Sequence, residues 1–180
     1  MSRLPPLTAD QLSPEQKRVS DAIAGGRKTV RGPFPMWLRN PMLADHANQF
    51  GIALRDHSVI GRRIFELAVI VVCRAWSVQY AWSSHAPQAE LQGIAPEIVT
   101  AIRDNRTPDF KKADERVVYD IATEIMATKE LSQATYDRAI AQFGEQGTVE
   151  LISTIGYYAM VGIFLKSFDV RPPDGSTPLK

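Results

Sequence analysis

The 180-residue chain contains 44% hydrophobic and 23% charged residues, a composition that excludes a disordered or fibrous protein. Its 21 Lys and Arg side chains offset 20 Asp and Glu side chains, and the net charge of +1 gives no long-range field for nucleic acid or anionic lipid. The single cysteine, Cys73, excludes an intramolecular disulfide and a CxxC pair and fits a reducing compartment.

The first part of the chain has clear helix start and stop signals. Ser13-Pro14 predicts the start of a helix that Gly25-Gly26 ends, and Asn40-Pro41 predicts the start of another that continues to about Arg55. Residues 27–40 contain a Gly-Pro-Phe-Pro stretch, which disfavours both a helix and a central strand. We therefore expect an irregular loop there.

The segment from Ile60 to Trp76 is apolar on nearly every side, which is typical of an enclosed helix. Its run of β-branched residues would also suit a buried strand, but no second strand-like run exists to pair with it. Further helices are predicted over residues 79–91, 96–103, 114–128, 132–144 and 149–168. The predicted fold class is all-α.

No linker or repeat interrupts the chain, so we expect one domain over residues 1–180, with an N-terminal extension over 1–40 and a short tail over 171–180. The first residues lack the apolar stretch of a signal peptide. The most apolar run, Ile64 to Ala75, is about half the ~20 residues that cross a bilayer. These features predict a cytoplasmic protein with no membrane partner.

Glu66 lies between Phe65 and Leu67 in the most apolar predicted helix, where an unpaired carboxylate is costly to bury. Either Glu66 has a chemical role, or it has a structural explanation: an ion pair with Arg62, Arg63 or Arg74, or a position on a narrow solvent-exposed stripe of the helix. The two explanations are evenly balanced on the sequence alone.

His85 is the second candidate, on the following helix. An imidazole moves protons readily at neutral pH if another group orients its second nitrogen, although a histidine among aromatic residues is more often a packing residue. His46 and His57 lie in polar surroundings and are expected at the surface. The histidine spacing matches no metal motif, and no phosphate-binding motif occurs, so neither a metal nor a cofactor is predicted.

Around Glu66 and His85, and through Pro96-Glu97-Ile98, the sequence resembles the carboxymuconolactone decarboxylase family, which includes the AhpD alkylhydroperoxidases. The resemblance covers about residues 35 to 170, including Gly156-Tyr157-Tyr158 near the end. It implies an all-α, AhpD-like fold around a buried central helix pair. In the peroxidase branch a CxxC pair lies between the glutamate and the histidine. Here Val78 and Ala81 occupy the two cysteine positions.

This substitution excludes a thiol peroxidase of that type, because peroxide reduction needs an attacking thiolate and a resolving thiol. The decarboxylase branch uses proton transfer on a lactone acid without thiols or metal. The resemblance therefore implies a cofactor-independent enzyme with His85 as general acid/base and Glu66 orienting it or sharing its proton. We expect a small unsaturated or lactone carboxylic acid as the substrate.

Further binding residues are predicted around this pair. Tyr80 and Trp82 would line an apolar cavity, Arg63 or Arg39 would hold the substrate carboxylate, and Trp37 would either line the cavity or plug the core. The family resemblance and the apolar surplus of residues 60–76 and 149–168 predict a closed homo-oligomer, a trimer or a hexamer.

Two other functions stay open. One is a non-catalytic small-molecule-binding or scaffold protein in which Glu66 and His85 form a structural pair. The other is an isomerase or hydrolase that uses the same pair on a different ligand. Side chains that face an open cavity would favour an enzyme, and side chains enclosed by packing would favour a binding protein.

Overall fold

Helices joined by short turns make up the computed structural model, which describes residues 2–25 and 30–179. A 3-10 helix at Ala9–Gln11 precedes α1 (Pro14–Ala24), α2 (Phe34–Trp37), α3 (Pro41–Asp56), α4 (Gly61–Ala75), α5 (Gln79–Leu91), α6 (Pro96–Arg103), α7 (Ala113–Thr128) and α8 (Gln133–Ser167). No strand occurs in these residues, and the predicted all-α class is confirmed.

Helix α4 forms the centre of the fold and packs against α5, α7 and α8. Every residue from Ile64 to Cys73 is buried, so the helix is enclosed on all sides as its composition predicts. Burial of each large apolar side chain contributes about 1.5–3 kcal/mol, so α4 is one of the main sources of hydrophobic stabilisation. The α4–α5 pair is the predicted central helix pair.

Local capping sets the helix boundaries at several of the predicted positions. The Ser13 hydroxyl accepts a hydrogen bond from the Gln16 amide, and the Asn40 side chain accepts one from the Leu43 amide. Gly25 adopts a left-handed conformation with φ of 54° and ends α1. Gly26, the second predicted stop residue, lies outside the described residues.

The proline-rich segment before α3 differs from the prediction, because residues 34–37 form the short helix α2. Pro33 is the N-cap residue and Pro35 lies in the first turn, where a helix needs no backbone N–H donors. Trp37 ends this helix at 1% exposure and packs against Phe164 with ring centroids 5.3 Å apart. The segment therefore places the Trp37 indole in the core.

The long helix α8 joins two predicted helices across a kink at Gly144, where φ is 67° and ψ is −178°. By length and composition alone α8 is able to cross a membrane, but half of its most apolar window is buried inside the protein. A core helix of a soluble protein has these properties. Its outer face still carries an exposed apolar stripe formed by Val149, Ile152, Gly156, Met160 and Ile163.

Both ends of the chain contribute to the same core. Val19 and Ile23 of α1 are buried, and α1 packs against α3. At the C-terminus Leu179 is buried, and its backbone exchanges two hydrogen bonds with the Gln79 side chain.

Candidate active site

Glu66 is a fully buried carboxylate with both oxygens bonded. Arg62, one helical turn earlier on α4, donates from Nε to Oε1 at 2.7 Å, and His85 Nδ1 lies 2.7 Å from Oε2. Arg62 also reaches Asp56 at 3.3 Å. Of the three arginines considered as structural partners, Arg62 is the one that pairs with Glu66. The double pairing compensates the cost of removing this charge from water.

His85 connects Glu66 to a tyrosine on α8. Because an ion-paired carboxylate only accepts hydrogen bonds, we assign the hydrogen on the Glu66 side to Nδ1. The other nitrogen, Nε2, then accepts from the Tyr158 hydroxyl at 3.2 Å. The two rings meet edge to face, with centroids 5.0 Å apart. Arg62, Glu66, His85 and Tyr158 thus form a continuous hydrogen-bonded chain across α4, α5 and α8.

Burial changes the acidity of the hydroxyl and thiol groups near this chain. Burial, and secondarily the negative charge of Glu66, raises the pKa of Tyr158 well above 10. The same two causes raise the pKa of Cys73, which is buried on α4, well above its usual range. Cys73 therefore stays a protonated thiol near neutral pH and is unsuited to nucleophilic attack.

A cavity of about 740 Å³ lies in front of His85 and Tyr158. The charged or titratable side chains on its wall are His85, Tyr158, Tyr157, Tyr80, Arg31, Arg55 and Arg62, and the wall contains no Asp or Glu among the described residues. Phe34, Ile52, Val161 and Leu165 provide apolar surface. The cavity therefore combines a histidine with three guanidinium groups, which suits a small anionic ligand.

Glu66 and His85 have different access to this cavity. The His85 side chain is 18% exposed and lies on the cavity wall, whereas Glu66 is enclosed behind it at 0%. An incoming ligand would meet the imidazole, not the carboxylate. The open-cavity condition that favours an enzyme is met for His85 only.

Tyr80 lies on the cavity wall as predicted, and its hydroxyl accepts a hydrogen bond from the Gly32 amide at 3.0 Å. Trp82 does not line the cavity. It is buried at 3% exposure and borders a separate pocket with Val99 and Pro178. The prediction for Trp82 was wrong because successive residues of α5 face different neighbours, and Trp82 points toward α6.

The two arginines predicted to hold a carboxylate lie elsewhere. Arg63 is paired with Asp114 and Glu115 of α7 and borders a different pocket. Arg39 is exposed and donates to the Pro5 carbonyl at 2.6 Å. Trp37 plugs the core, the alternative left open for it, and Phe34 lines the cavity in its place. Arg31 and Arg55, which sequence reasoning did not single out, are the additional cations on the wall.

Tyr158 is the partner of His85 that sequence reasoning missed. In the sequence, the pattern Gly156-Tyr157-Tyr158 supports the family resemblance but does not indicate a contact with His85. Two adjacent tyrosines on a helix point in different directions: Tyr157 bonds the Ala47 carbonyl at 3.0 Å, and Tyr158 bonds His85. No local pattern distinguishes their roles.

The other histidines and the former cysteine positions lie apart from this chemistry. His46 and His57 are exposed, as predicted. Val78 precedes α5 as its N-cap, and Ala81 lies on the cavity wall one turn before His85. Within residues 2–25 and 30–179, no group of three or more His, Cys, Asp or Glu side chains is arranged to hold a metal ion.

No protein-family model and no curated protein matches the chain. Solved structures of other proteins do match it in fold. An uncharacterized peroxidase-related protein from Silicibacter sp. TM1040 superposes with a TM-score of 0.79 at 15% identity, covering 95% of this chain and 91% of its own. An alkylhydroperoxidase AhpD core, an uncharacterized peroxidase-related protein from Ralstonia eutropha JMP134, has the same score and identity, with 96% and 93% coverage. The chain therefore has the AhpD-like all-α fold.

Proposed function

We propose that this protein is a cofactor-independent acid/base enzyme, resembling carboxymuconolactone decarboxylase, that acts on a small unsaturated or lactone carboxylic acid. The observation that carries the proposal is the hydrogen-bonded chain from Arg62 through Glu66 and His85 to Tyr158, next to a cavity with three arginines. A general base needs an oriented second nitrogen and access to its ligand, and His85 has both.

In the proposed reaction the bond between the substrate carbon and its carboxylate breaks, and carbon dioxide leaves. The electron pair passes into the adjacent unsaturated or lactone system. Before this step His85 Nε2 takes up a proton from the solvent, which gives the imidazolium, and the Tyr158 hydroxyl oxygen then accepts from Nε2–H instead of donating to it. The carbon takes this proton from Nε2, which returns His85 to its neutral form, so the reaction consumes one solvent proton for each carbon dioxide released. Glu66 acts as a positioning residue that holds Nδ1–H and stabilises the charged imidazolium. Tyr158 keeps its own proton because its pKa is raised, so its role is to orient Nε2.

We assign the substrate carboxylate to Arg31. Arg62 is already paired with Glu66 and Asp56, and Arg55 is paired with Asp56, which leaves Arg31 as the cavity arginine without an ion pair among the described residues. The neighbouring Gly32 amide is bonded to Tyr80, five residues before His85 on α5. At 1.5 Å rise per residue this attachment lies about 7.5 Å along α5 from His85.

The proposed function is tested by screening unsaturated and lactone acids for carbon dioxide release. We expect turnover by the wild type and a loss of about 100-fold or more in His85→Ala, the usual contribution of a general acid/base. Glu66→Gln should also lose activity, while His46→Ala, an exposed histidine on α3, should not. Full activity in both His85→Ala and Glu66→Gln would reject the assigned roles.

The screen also separates the alternatives. Consumption of an acid without carbon dioxide release would indicate an isomerase or hydrolase. Saturable binding without turnover of any acid would indicate a binding protein. The enclosed position of Glu66 is the observation that favours this second function.

The Arg31 assignment has its own test in the steady-state kinetics. Removing a charged hydrogen bond to the substrate in Arg31→Met should raise KM about tenfold, with a smaller effect on kcat. Arg39→Met is the matched control, because Arg39 is an exposed arginine bonded to Pro5 outside the cavity. An unchanged KM in Arg31→Met would remove Arg31 from the proposal.

We also propose a closed homo-oligomer, a trimer or a hexamer, with the exposed apolar stripe of α8 as its contact surface. The five stripe residues follow a 3-4-4-3 spacing, which places them on one helix face. Mass measurement in solution should give a multiple of the monomer mass for the wild type and a smaller species for Val149→Glu/Ile163→Glu. Leu91→Glu, an exposed apolar residue on α5, is the control. A monomeric wild type would contradict the proposal.

A further inference from the structure

Arg74, in the last turn of α4, has guanidinium nitrogens that nothing in the described chain satisfies. Its Nε and Nη1 atoms are buried and have no hydrogen-bond partner in residues 2–25 and 30–179. The Arg74 side chain as a whole is half-buried, but buried polar atoms in native proteins are nearly always hydrogen-bonded. Arg74 is therefore an exception that needs a physical explanation.

The helix dipole is one favourable interaction at this position, because a cation in the last turn faces the negative end of the helix. This interaction is weak at a helix terminus and supplies no hydrogen-bond acceptor for Nε or Nη1. It does not account for the two buried nitrogens that lack a hydrogen-bond partner in the described residues. A hydrogen-bond acceptor supplied by a molecule outside the chain would account for these nitrogens.

A second pocket lies at Arg74, with a volume of about 220 Å³ and no residue in common with the His85 cavity. Most of its wall is apolar or aromatic, and its remaining members are two arginines, an asparagine and a threonine. The wall consists of Val71, Arg74, Ala75, Ile102, Asn105, Arg106, Tyr119, Thr123, Met126 and Ala127. None of these described wall residues carries a carboxylate.

The chemistry of this wall defines its ligand. A planar guanidinium binds a carboxylate through paired hydrogen bonds, and the apolar side chains favour a ligand with a hydrocarbon body. The volume corresponds to about seven water molecules at ~30 Å³ each, which restricts the ligand to a small molecule.

We propose that this pocket is a second binding site, for a small carboxylate whose hydrocarbon body packs against Val71, Ile102 and Met126 while its anionic group meets Arg74. The second guanidinium, Arg106, is paired with Asp104 at 3.3 Å and leaves Arg74 as the principal cation of the site. The site is independent of the proposed acid/base function.

Methyl NMR of the full-length protein provides a site-specific test, because Met126 is the one methionine among the described residues of this wall. The protein is labelled at the methionine methyl groups, and the Met126 signal is assigned with Met126→Leu. Benzoate and butyrate are titrated, with benzamide as a neutral isostere of benzoate. We expect saturable shifts of the Met126 signal with both acids and affinity at least tenfold weaker for benzamide.

Variants then identify the cation. Arg74→Met should abolish the shift, and Arg74→Lys, which keeps the charge but loses the planar fork, should weaken binding about tenfold if Arg74→Met does not fold. Arg103→Met, an exposed arginine on α6 paired with Asp104, should bind as the wild type does. A Met126 signal that does not move with either acid would overturn the proposal. So would equal binding of benzamide, or unchanged binding in Arg74→Met or Arg74→Lys.

Discussion

Helix α4 carries two charged side chains with buried polar atoms that the protein treats in opposite ways: Glu66 is fully buried, and Arg74 is half-buried. Glu66 has both oxygens bonded to side chains of the chain itself, whereas Arg74, eight residues and about 12 Å further along the helix, has two buried nitrogens with no partner in the described residues. Glu66 is part of an internal network that α4, α5 and α8 complete together. Arg74 has a pocket beside it in place of such a network.

This difference indicates that the charge of Glu66 serves the internal structure, whereas the charge of Arg74 is available to a ligand. Removing one partner from a satisfied buried pair leaves an uncompensated charge, while removing an unsatisfied buried charge relieves a cost. The same type of experiment, a neutralising substitution on one helix, should therefore give effects of different size at the two positions.

The largest effect is expected for Glu66→Ala. Loss of the carboxylate leaves Arg62 and His85 without their common acceptor and opens a cavity in the core, and we expect a loss of about 3–5 kcal/mol in the free energy of unfolding. Urea unfolding measures this quantity. Glu90→Ala, an exposed glutamate on α5, should change it by no more than about 0.5 kcal/mol. A loss at Glu66 below about 1 kcal/mol would contradict the network.

Arg62→Met should have the next largest effect, because it removes one of two partners of Glu66 and retains the other. We expect a loss of about 1.5–3 kcal/mol, the range for hydrogen bonds to charged groups. Arg55→Met breaks a more exposed pair with Asp56 and should cost at most about 1 kcal/mol in the same urea experiment. Equal losses in the two variants would show that burial of Glu66 does not strengthen its pair with Arg62.

Tyr158→Phe should cost about 1 kcal/mol at neutral pH through the lost bond to His85. The pKa of Tyr158 is raised in the folded protein, so folding favours its protonated form, and its stabilising contribution is lost as the pH rises above 10. As the pH is raised through the alkaline range, the free energy of unfolding should fall less steeply in Tyr158→Phe than in the wild type. Parallel pH profiles would contradict the assigned burial.

Glu66→Gln provides a second measurement at the same hydroxyl. The negative charge of Glu66 is the second cause of the raised pKa, after burial. Neutralising it should lower the pKa of Tyr158 while leaving it above 10, since burial persists. Ultraviolet titration of the phenolate, with Tyr158→Phe to identify the signal, measures this shift.

The smallest effect is expected for Arg74→Met without added ligand. Replacing a half-buried guanidinium, two of whose buried nitrogens have no partner in the described residues, with an apolar chain of similar length should leave the free energy of unfolding within about 0.5 kcal/mol of the wild type or increase it. A loss comparable to that of Arg62→Met would show that Arg74 is satisfied inside the protein. The comparison between the two ends of α4 would then fail.

Much of the fold was predictable because its signals are local. Ser13, Asn40 and Ser132 cap their helices with their own side chains, and the left-handed Gly25 ends α1. The apolar run of α4, interrupted only by Glu66 between Ile64 and Cys73, predicted its burial on every side. The short helix α2 differs from the predicted loop because the first turn of a helix accepts proline, although a helix interior does not.

The candidate site was predictable only in part. The pairing of Glu66 with His85 across nineteen positions followed from the family resemblance, and the structure places their side chains 2.7 Å apart. The wrong positions predicted for Trp82, Arg63 and Arg39 share one cause. Residue type indicates what a side chain can bind, but the neighbouring helices decide which way it faces.

The sequence by itself determined several of the helix boundaries, the central apolar helix and the absence of a thiol pair, because capping, periodicity and residue identity act over a few positions. Only the tertiary structure decided that Tyr158 completes the chain at His85, that Arg31 lies on the cavity wall and that two buried nitrogens of Arg74 have no partner among the described residues. Each of these depends on packing between segments far apart in the chain. Local signals carry no information about which distant side chain fills a given space.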